Sequence, residues 1–248
     1  GAEYDILNSL ELHGLHWDNA VIYQSRQLEH YEQALSTLQQ QGHTFFCNCP
    51  RKTLQQFASL YPGTCRGKTL VDYIPATRNS PASHAIRFDV SRCKSNTIVF
   101  EDRIVGYQKF LLDQLGDFIV RRRDSLFAYQ LAVVVDDWQQ NISHVVRGID
   151  LLESTPWQIA LQQALAYPTP RYAHLPLIVQ NEGQKLSKQT GAKALDPETP
   201  GKNLLTALQQ LQQPVSSKLI ALPVDELLAI AAQQWDITKI TQQNIYIN

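Results

Sequence analysis

Residues 142–179 carry the pattern that most restricts what this chain can fold into. Ile142, Val145 and Val146 lie in a short run that reads as a strand, and Arg147-Gly148 follows at its carboxyl end. Thr155-Pro156 then opens a helix, because threonine is a common cap and proline suits the first helical position, where its missing N–H costs nothing. Trp157, Ala160, Leu161, Ala164 and Leu165 give that helix one apolar face. Tyr172 to Val179 reads as the next strand. Strand, helix, strand predicts a parallel pair joined by a crossover helix, with functional groups at the carboxyl ends of the strands. The stretch that follows, Gly183-Gln184-Lys185-Leu186-Ser187-Lys188-Gln189-Thr190-Gly191, has no apolar period and two lysines three apart. Ammonium groups on such a loop can close on a polyphosphate and release it. A solvated surface loop is the plainer reading of these residues alone.

The rest of the chain supplies elements to surround that unit. Residues 3–13 pattern as a short amphipathic helix ended by Gly14, and a second helix starts at Ser25, carries Leu28, Tyr31, Leu35 and Leu38, and stops at Gly42. Residues 43–47 read as a strand, 82–90 and 97–105 as two more, and 106–115 as linker or short helix. A strand at 117–120 ends in Arg121-Arg122-Arg123-Asp124; three arginines could pair with phosphates, although a solvated charge run is the commoner meaning. Residues 126–137 are apolar and β-branched, and periodicity cannot tell strand from buried helix there. Thr199-Pro200 opens another helix through Leu211, and a last one spans 224–235.

Composition narrows the class. With 248 residues, 44% hydrophobic and 18% charged, the chain can bury one large domain or a domain with an insertion. A formal charge of -1 gives no global basic field, so any nucleic-acid contact must be a local patch. No run has the length of a membrane span and no apolar leader precedes a cleavage site, so a cytoplasmic protein is expected. The chain has no methionine and begins Gly1-Ala2-Glu3 within a helical pattern, so a processed chain or a fragment of a longer one is expected.

Cys47, Cys49 and Cys65 fall within nineteen residues, the first two in Cys47-Asn48-Cys49-Pro50, and Cys93 stands apart. Cys-X-Cys is poor geometry for a disulfide between near neighbours, and thiolates at this spacing suit tetrahedral zinc. Cys93, His43 and Tyr61 are the candidates for a fourth ligand. Tyr61 lies four residues before Cys65 and could share its face. A structural clip is expected rather than a catalyst, since no His-Glu-X-X-His set accompanies it. The bland alternative is that the cysteines are small buried hydrophobes.

The landmarks resemble the glutamyl-tRNA synthetase family of class I aminoacyl-tRNA synthetases. They are Gly14-Leu15-His16-Trp17-Asp18, Tyr23-Gln24-Ser25, Asp117-Phe118-Ile119-Val120, Tyr129 through Asp137, His144-Val145-Val146-Arg147-Gly148-Ile149-Asp150, Thr155-Pro156-Trp157-Gln158 and His174-Leu175-Pro176. They run in the family's order from residue 3 to about 235. Within the family the chain looks most like a shortened branch, for three reasons. Its loop reads Lys185-Leu186-Ser187-Lys188-Gln189, that branch's variant of the class I Lys-Met-Ser-Lys-Ser signature. Cys47, Cys49, Tyr61 and Cys65 match its zinc site, and about sixty residues after the loop leave no room for a helical anticodon-binding domain. Family members usually carry Asp-Gly where this chain has Asp124-Ser125, a turn variant.

The resemblance implies an α/β fold: a Rossmann-type catalytic domain with a small zinc-bearing insertion and no anticodon-binding domain. The implied partition is 1–42 for the rest of the amino-terminal nucleotide-binding half, 43–116 for the insertion, 117–198 for the second catalytic half, and 199–248 for a short helical region. It places a helix over 129–137. It implies that glutamate and ATP, with Mg2+, react to glutamyl-adenylate, and that the glutamyl group passes to queuosine in the anticodon of tRNA(Asp). Lys185 and Lys188 would be the catalytic cations, Ser187 and Lys188 would contact ATP, and Tyr129 and Arg147 would bind glutamate. A monomer without membrane contact is expected. The signature His-Ile-Gly-His would precede residue 1, so the chain as given is expected to be inactive alone. Two rival readings are a truncated enzyme that charges tRNA(Glu) and a catalytically inactive synthetase-like binding module.

Overall fold

Apolar residues at three- and four-residue steps make the helices, and short β-branched or aromatic runs make the strands. The computed structural model describes residues 2–50, 52, 54, 60–68, 84–180, 185–186 and 194–247. In chain order the first elements are α1 (Ala2–Leu12), α2 (Leu28–Gln40), β1 (Thr44–Cys47), β2 (Ala85–Phe88), β3 (Thr97–Asp102) and β4 (Gly106–Leu111). Next come α3 (Leu112–Leu115), β5 (Phe118–Arg121), α4 (Tyr129–Gln139), β6 (His144–Gly148), α5 (Thr155–Leu165) and β7 (Arg171–Leu175). The last are β8 (Ile178–Gln180), α6 (Pro200–Gln210), α7 (Val224–Gln233) and β9 (Ile245–Ile247).

Among the described residues the strands make three sheets, in the orders β1-β2-β5, β4-β3-β7-β6 and β8-β9. The expected β-α-β unit is present: β6 and β7 pair in parallel, with Val146 opposite Ala173 and Arg147 opposite His174, and α5 is the crossover. Pairing crosses the residue boundaries between the segments, since β2 is bonded antiparallel to β5 and β3 parallel to β7. One core serves both larger sheets. Tyr31, Leu35 and Leu38 of α2, Leu131 and Val135 of α4 and Leu161 of α5 cluster with Phe88, Ile98, Val120 and Tyr172. Burying side chains of this size contributes about 1.5–3 kcal/mol each.

Three sequence expectations change and one open choice is decided, as a helix. Residues 106–111 form strand β4 rather than a linker, because Asp102 accepts from the amides of Ile104 and Val105 at 3.0 Å and turns the chain into a hairpin with β3. The ambiguous run at 126–137 is helical from Tyr129, with Val134 and Val135 buried among the packed helices. The strand expected from Tyr172 to Val179 is two: β7 ends at Leu175, before Pro176, and β8 pairs with β9 instead. Thr155 is no cap, and its fully buried side chain turns inward. Residues 55–59, between Cys49 and Tyr61, lie outside the described residues, as do Ser187 and Lys188.

Candidate active site and cysteine cluster

Arg147 lies one residue from the carboxyl end of β6, and three buried groups hold it. Its Nε donates to His174 Nε2 at 3.1 Å, its Nη2 donates to Thr155 Oγ1 at 2.8 Å, and its guanidinium carbon lies 5.3 Å from the centre of the Tyr172 ring. Parallel pairing explains the first contact, because Arg147 and His174 are direct neighbours across β6 and β7. On its other nitrogen His174 meets Asp102 Oδ2 at 2.6 Å, with both side chains fully buried. Burial pushes the Asp102 carboxyl up, but the His174 ring and the amides of Val105, Ile104 and His174 outweigh it. They hold the carboxyl below its usual range.

Tyr129 begins α4 and is half exposed. Gln130 fixes that helix end: its Nε2 donates to Ser154 Oγ at 3.1 Å and its Oε1 accepts from Gln158 at 2.8 Å. Tyr129, Arg147 and Asp137 all act on the Tyr172 phenol, whose proton affinity is raised chiefly by burial. The starts of α4 and α5 lie together, with Gln130 bonded to Ser154 and the next residue, Thr155, bonded to Arg147. An arginine so oriented suits a carboxylate, because its fork offers parallel donors.

Of the lysine stretch, Lys185 and Leu186 are described, and both are held. Lys185 bridges to Val179, the amide of Leu186 donates to Ile178 O at 2.9 Å, and Lys185 Nζ meets Asp150 Oδ2 at 2.5 Å. Asp150 reaches that position by folding over Gly148, where an added Cβ would lie 2.5 Å from Asp150 Oδ1. Any larger residue at 148 would displace the carboxylate. The carboxyl end of β6 therefore holds Arg147 directly and, through Asp150, Lys185.

The cysteine residues separate into two places. The sulfurs of Cys47, Cys49 and Cys65 all lie within 4.8 Å of one another, with Cys49 and Cys65 at 3.4 Å. Tyr61 points its hydroxyl at the same point, 3.5 Å from Cys47 Sγ and 3.6 Å from Cys49 Sγ, and accepts from the Cys65 amide at 3.0 Å. A tetrahedron with metal–sulfur bonds of about 2.3 Å has edges of roughly 3.8 Å, so the four groups fit a zinc ion. Burial pushes the Cys49 thiol up to about 11 and raises the Tyr61 phenol, so a dication is what would draw off their protons. The other two candidates are elsewhere: Cys93 packs against the main core, and His43 stacks on Phe88. None of the four cysteines is disulfide-bonded.

Neighbouring contacts seat the cluster. Gly116 permits it, since a Cβ there would fall 2.6 Å from Leu60 Cδ1, just before Tyr61. Arg66 donates twice to buried Asp117 at 2.7 Å, Arg87 stacks over the Tyr61 ring at 4.0 Å, and Arg123 Nη2 donates to Cys49 O at 2.7 Å. The arginine run is therefore not simply solvated. Arg121 meets Glu32 at 3.4 Å, Arg122 meets Asp124 at 2.6 Å, and Arg123 braces the cysteine loop.

Asp102, Asp150, Thr155 and His174 were not given these roles by sequence. The available signal was a polar residue inside an apolar strand, at 102 and 174, but no spacing joins residues seventy-two apart.

A parallel β-α-β core, with Arg147 near the end of β6 and Lys185 paired to Asp150 beside it, is the frame of an α/β catalytic domain. The family model for the catalytic domain of class I tRNA synthetases (E and Q) matches residues 1–203, and the chain belongs to that family. Among its relatives, the glutamyl-Q tRNA(Asp) synthetase of Pseudomonas putida is 39% identical over 246 residues, covering 98% of this chain and 77% of the relative. The protein of the same name from a Synechococcus species is 43% identical over 252 residues, covering 98% and 81%. The fold is that of glutamate–tRNA synthetase from Elizabethkingia anophelis, with a TM-score of 0.77 at 22% identity. That match covers 100% of this chain, which spans 58% of the longer synthetase.

Proposed function

We propose that this chain is the catalytic part of an ATP-dependent ligase that activates glutamate and transfers the glutamyl group to queuosine in the anticodon of tRNA(Asp). The observation that carries the reading is identity near 40% along almost the whole chain to proteins named glutamyl-Q tRNA(Asp) synthetase. In this reading Arg147 and the Tyr129 hydroxyl bind the glutamate side chain at the end of β6. Lys185 and Lys188, with Ser187, close on the triphosphate, which arrives with Mg2+, as pyrophosphate leaves. The chemistry is positioning and charge stabilisation, with no covalent step through the protein. Asp150 keeps Lys185 near β6 until the phosphates compete for it. Cys47, Cys49, Tyr61 and Cys65 would hold zinc, which supplies a structural clip when bound. The accompanying partition is a zinc-bearing unit within 43–116, catalytic halves at 1–42 and 117–198, and a helical end at 199–248. Among the described residues no helix is long and apolar enough to cross a membrane, and a monomer acting in the cytoplasm goes with the reading.

The test uses protein expressed from its complete reading frame. It should catalyse glutamate-dependent ATP–pyrophosphate exchange and label tRNA(Asp) that carries queuosine, leaving the unmodified transcript unlabelled. Labelling of tRNA(Glu), or no exchange, would overturn the reading.

A further inference from the structure

The contacts around Arg147 form a chain with a direction. Arginine is only a donor, so His174 Nε2, which receives the Arg147 Nε–H at 3.1 Å, must be an acceptor. That leaves the ring proton on Nδ1, where it is donated to Asp102 Oδ2 at 2.6 Å. Asp102 is oriented in turn, because its Oδ1 accepts from the amides of Ile104 and Val105 at 3.0 Å and of His174 at 3.2 Å. Thr155 Oγ1 accepts from Arg147 Nη2 at 2.8 Å and lies 3.3 Å from Leu151 O, to which its own hydroxyl proton can go. The side chains of Asp102, His174 and Thr155 are all buried, so water does not compete for these bonds.

We infer that Asp102, His174 and Thr155 are positioning residues that lock the Arg147 guanidinium in one orientation, presenting its remaining donors to a substrate carboxylate. Asp102 acts furthest back, by fixing the tautomer of His174; His174 and Thr155 take the Nε and Nη2 donors of Arg147. None of the three needs to touch the substrate. The inference rests on Arg147 being the glutamate-binding arginine of the proposed reaction.

Asp102→Asn tests it with a nearly isosteric change. The three amides keep the amide oxygen at the Oδ1 position, so the new NH2 group faces His174 Nδ1. That nitrogen must then accept, the proton moves to Nε2, and Arg147 Nε loses its acceptor. Thr155→Val removes the second hold, together with the 3.2 Å contact of Thr155 Oγ1 to His174 Nε2, but leaves the His174–Asp102 pair in place, and it serves as a second variant if Asp102→Asn does not fold.

Two readouts keep the outcomes apart. Nitrogen-15 NMR of the ligand-free protein should show His174 protonated at Nδ1 and a slowly exchanging Arg147 Nε–H, with both features lost in Asp102→Asn. In steady-state exchange each variant should raise the KM for glutamate about tenfold or more, with kcat within about twofold and the KM for ATP unchanged. A general loss of structure would not give that split. Protonation at Nε2 in the unmutated protein, or wild-type glutamate KM in either folded variant, overturns the inference. If the unmutated protein does not use glutamate, the functional reading falls while the NMR result still decides whether the relay exists.

Discussion

At the scale of single residues, two adjacent carboxyls show how placement sets chemistry. Asp136 accepts from Tyr31 Oη at 2.6 Å and from Gln24 Nε2 at 2.8 Å, tying α4 to α2 and the preceding turn. Asp137, one residue on, is partly buried and lines a cavity with Gln162, Trp138 and His144. Burial pushes its carboxyl up to about 6, against the pull of Arg147 and with a small push from Asp136. A carboxyl raised on folding favours the folded state most when it is protonated in both states. Its contribution is complete below the unfolded pKa, near 4, and is lost as pH rises through about 6. Urea unfolding from pH 4 to 7 should therefore show a fall that Asp137→Asn removes, of about 1 kcal/mol after solvent screening at this open cavity. Identical slopes for the two proteins would refute this assignment. The doublet of aspartates was legible in the sequence, but which of them ties to α2 and which lines the cavity was not.

At the scale of elements, the turn after β5 links the strand to the cysteine loop. Arg122 N donates to Leu126 O at 2.8 Å, and Arg121 bridges to Phe127, so residues 123–125 form a three-residue hairpin loop. Ser125 closes it at φ 66, a left-handed conformation that costs a side-chain-bearing residue about 1–2 kcal/mol. The Asp-Gly usual in the family would avoid that cost, so Asp124-Ser125 is a strained version of the same turn. Ser125→Gly should stabilise the protein by about 0.5–1 kcal/mol, less than the full strain because glycine also loses more entropy on folding. A calorimetric Tm that fails to rise would show that the surrounding contacts have already absorbed the strain. Arg123 on this turn should keep its bond to Cys49 O in the variant. The turn residues could be read from sequence; the arginine's use as a brace could not.

At the scale of the whole molecule, the cysteine cluster closes one end of the sheet β1-β2-β5 and Arg147 with its buried partners lies at the strand ends of the other. The purified protein should contain about one equivalent of zinc, and its removal by a strong chelator should lower Tm by several degrees. Tyr61→Phe should lose the metal to a weaker chelator than the unmutated protein does. Equal retention would remove Tyr61 from the ligand set. The sequence by itself determined the β6-α5-β7 unit, the order of most elements, and the residue types at both sites. Those signals are local: apolar period, cap and proline chemistry, and short ligand spacing. It left helix or strand open at 126–137, merged β7 with β8, and hid β4, because each depends on which neighbour is available to bury or to bond. Only the tertiary structure put Asp102 behind His174, His174 behind Arg147 and Tyr61 among three sulfurs. The sheet register brings distant residues into contact, and a buried polar group must take whatever partner that register supplies.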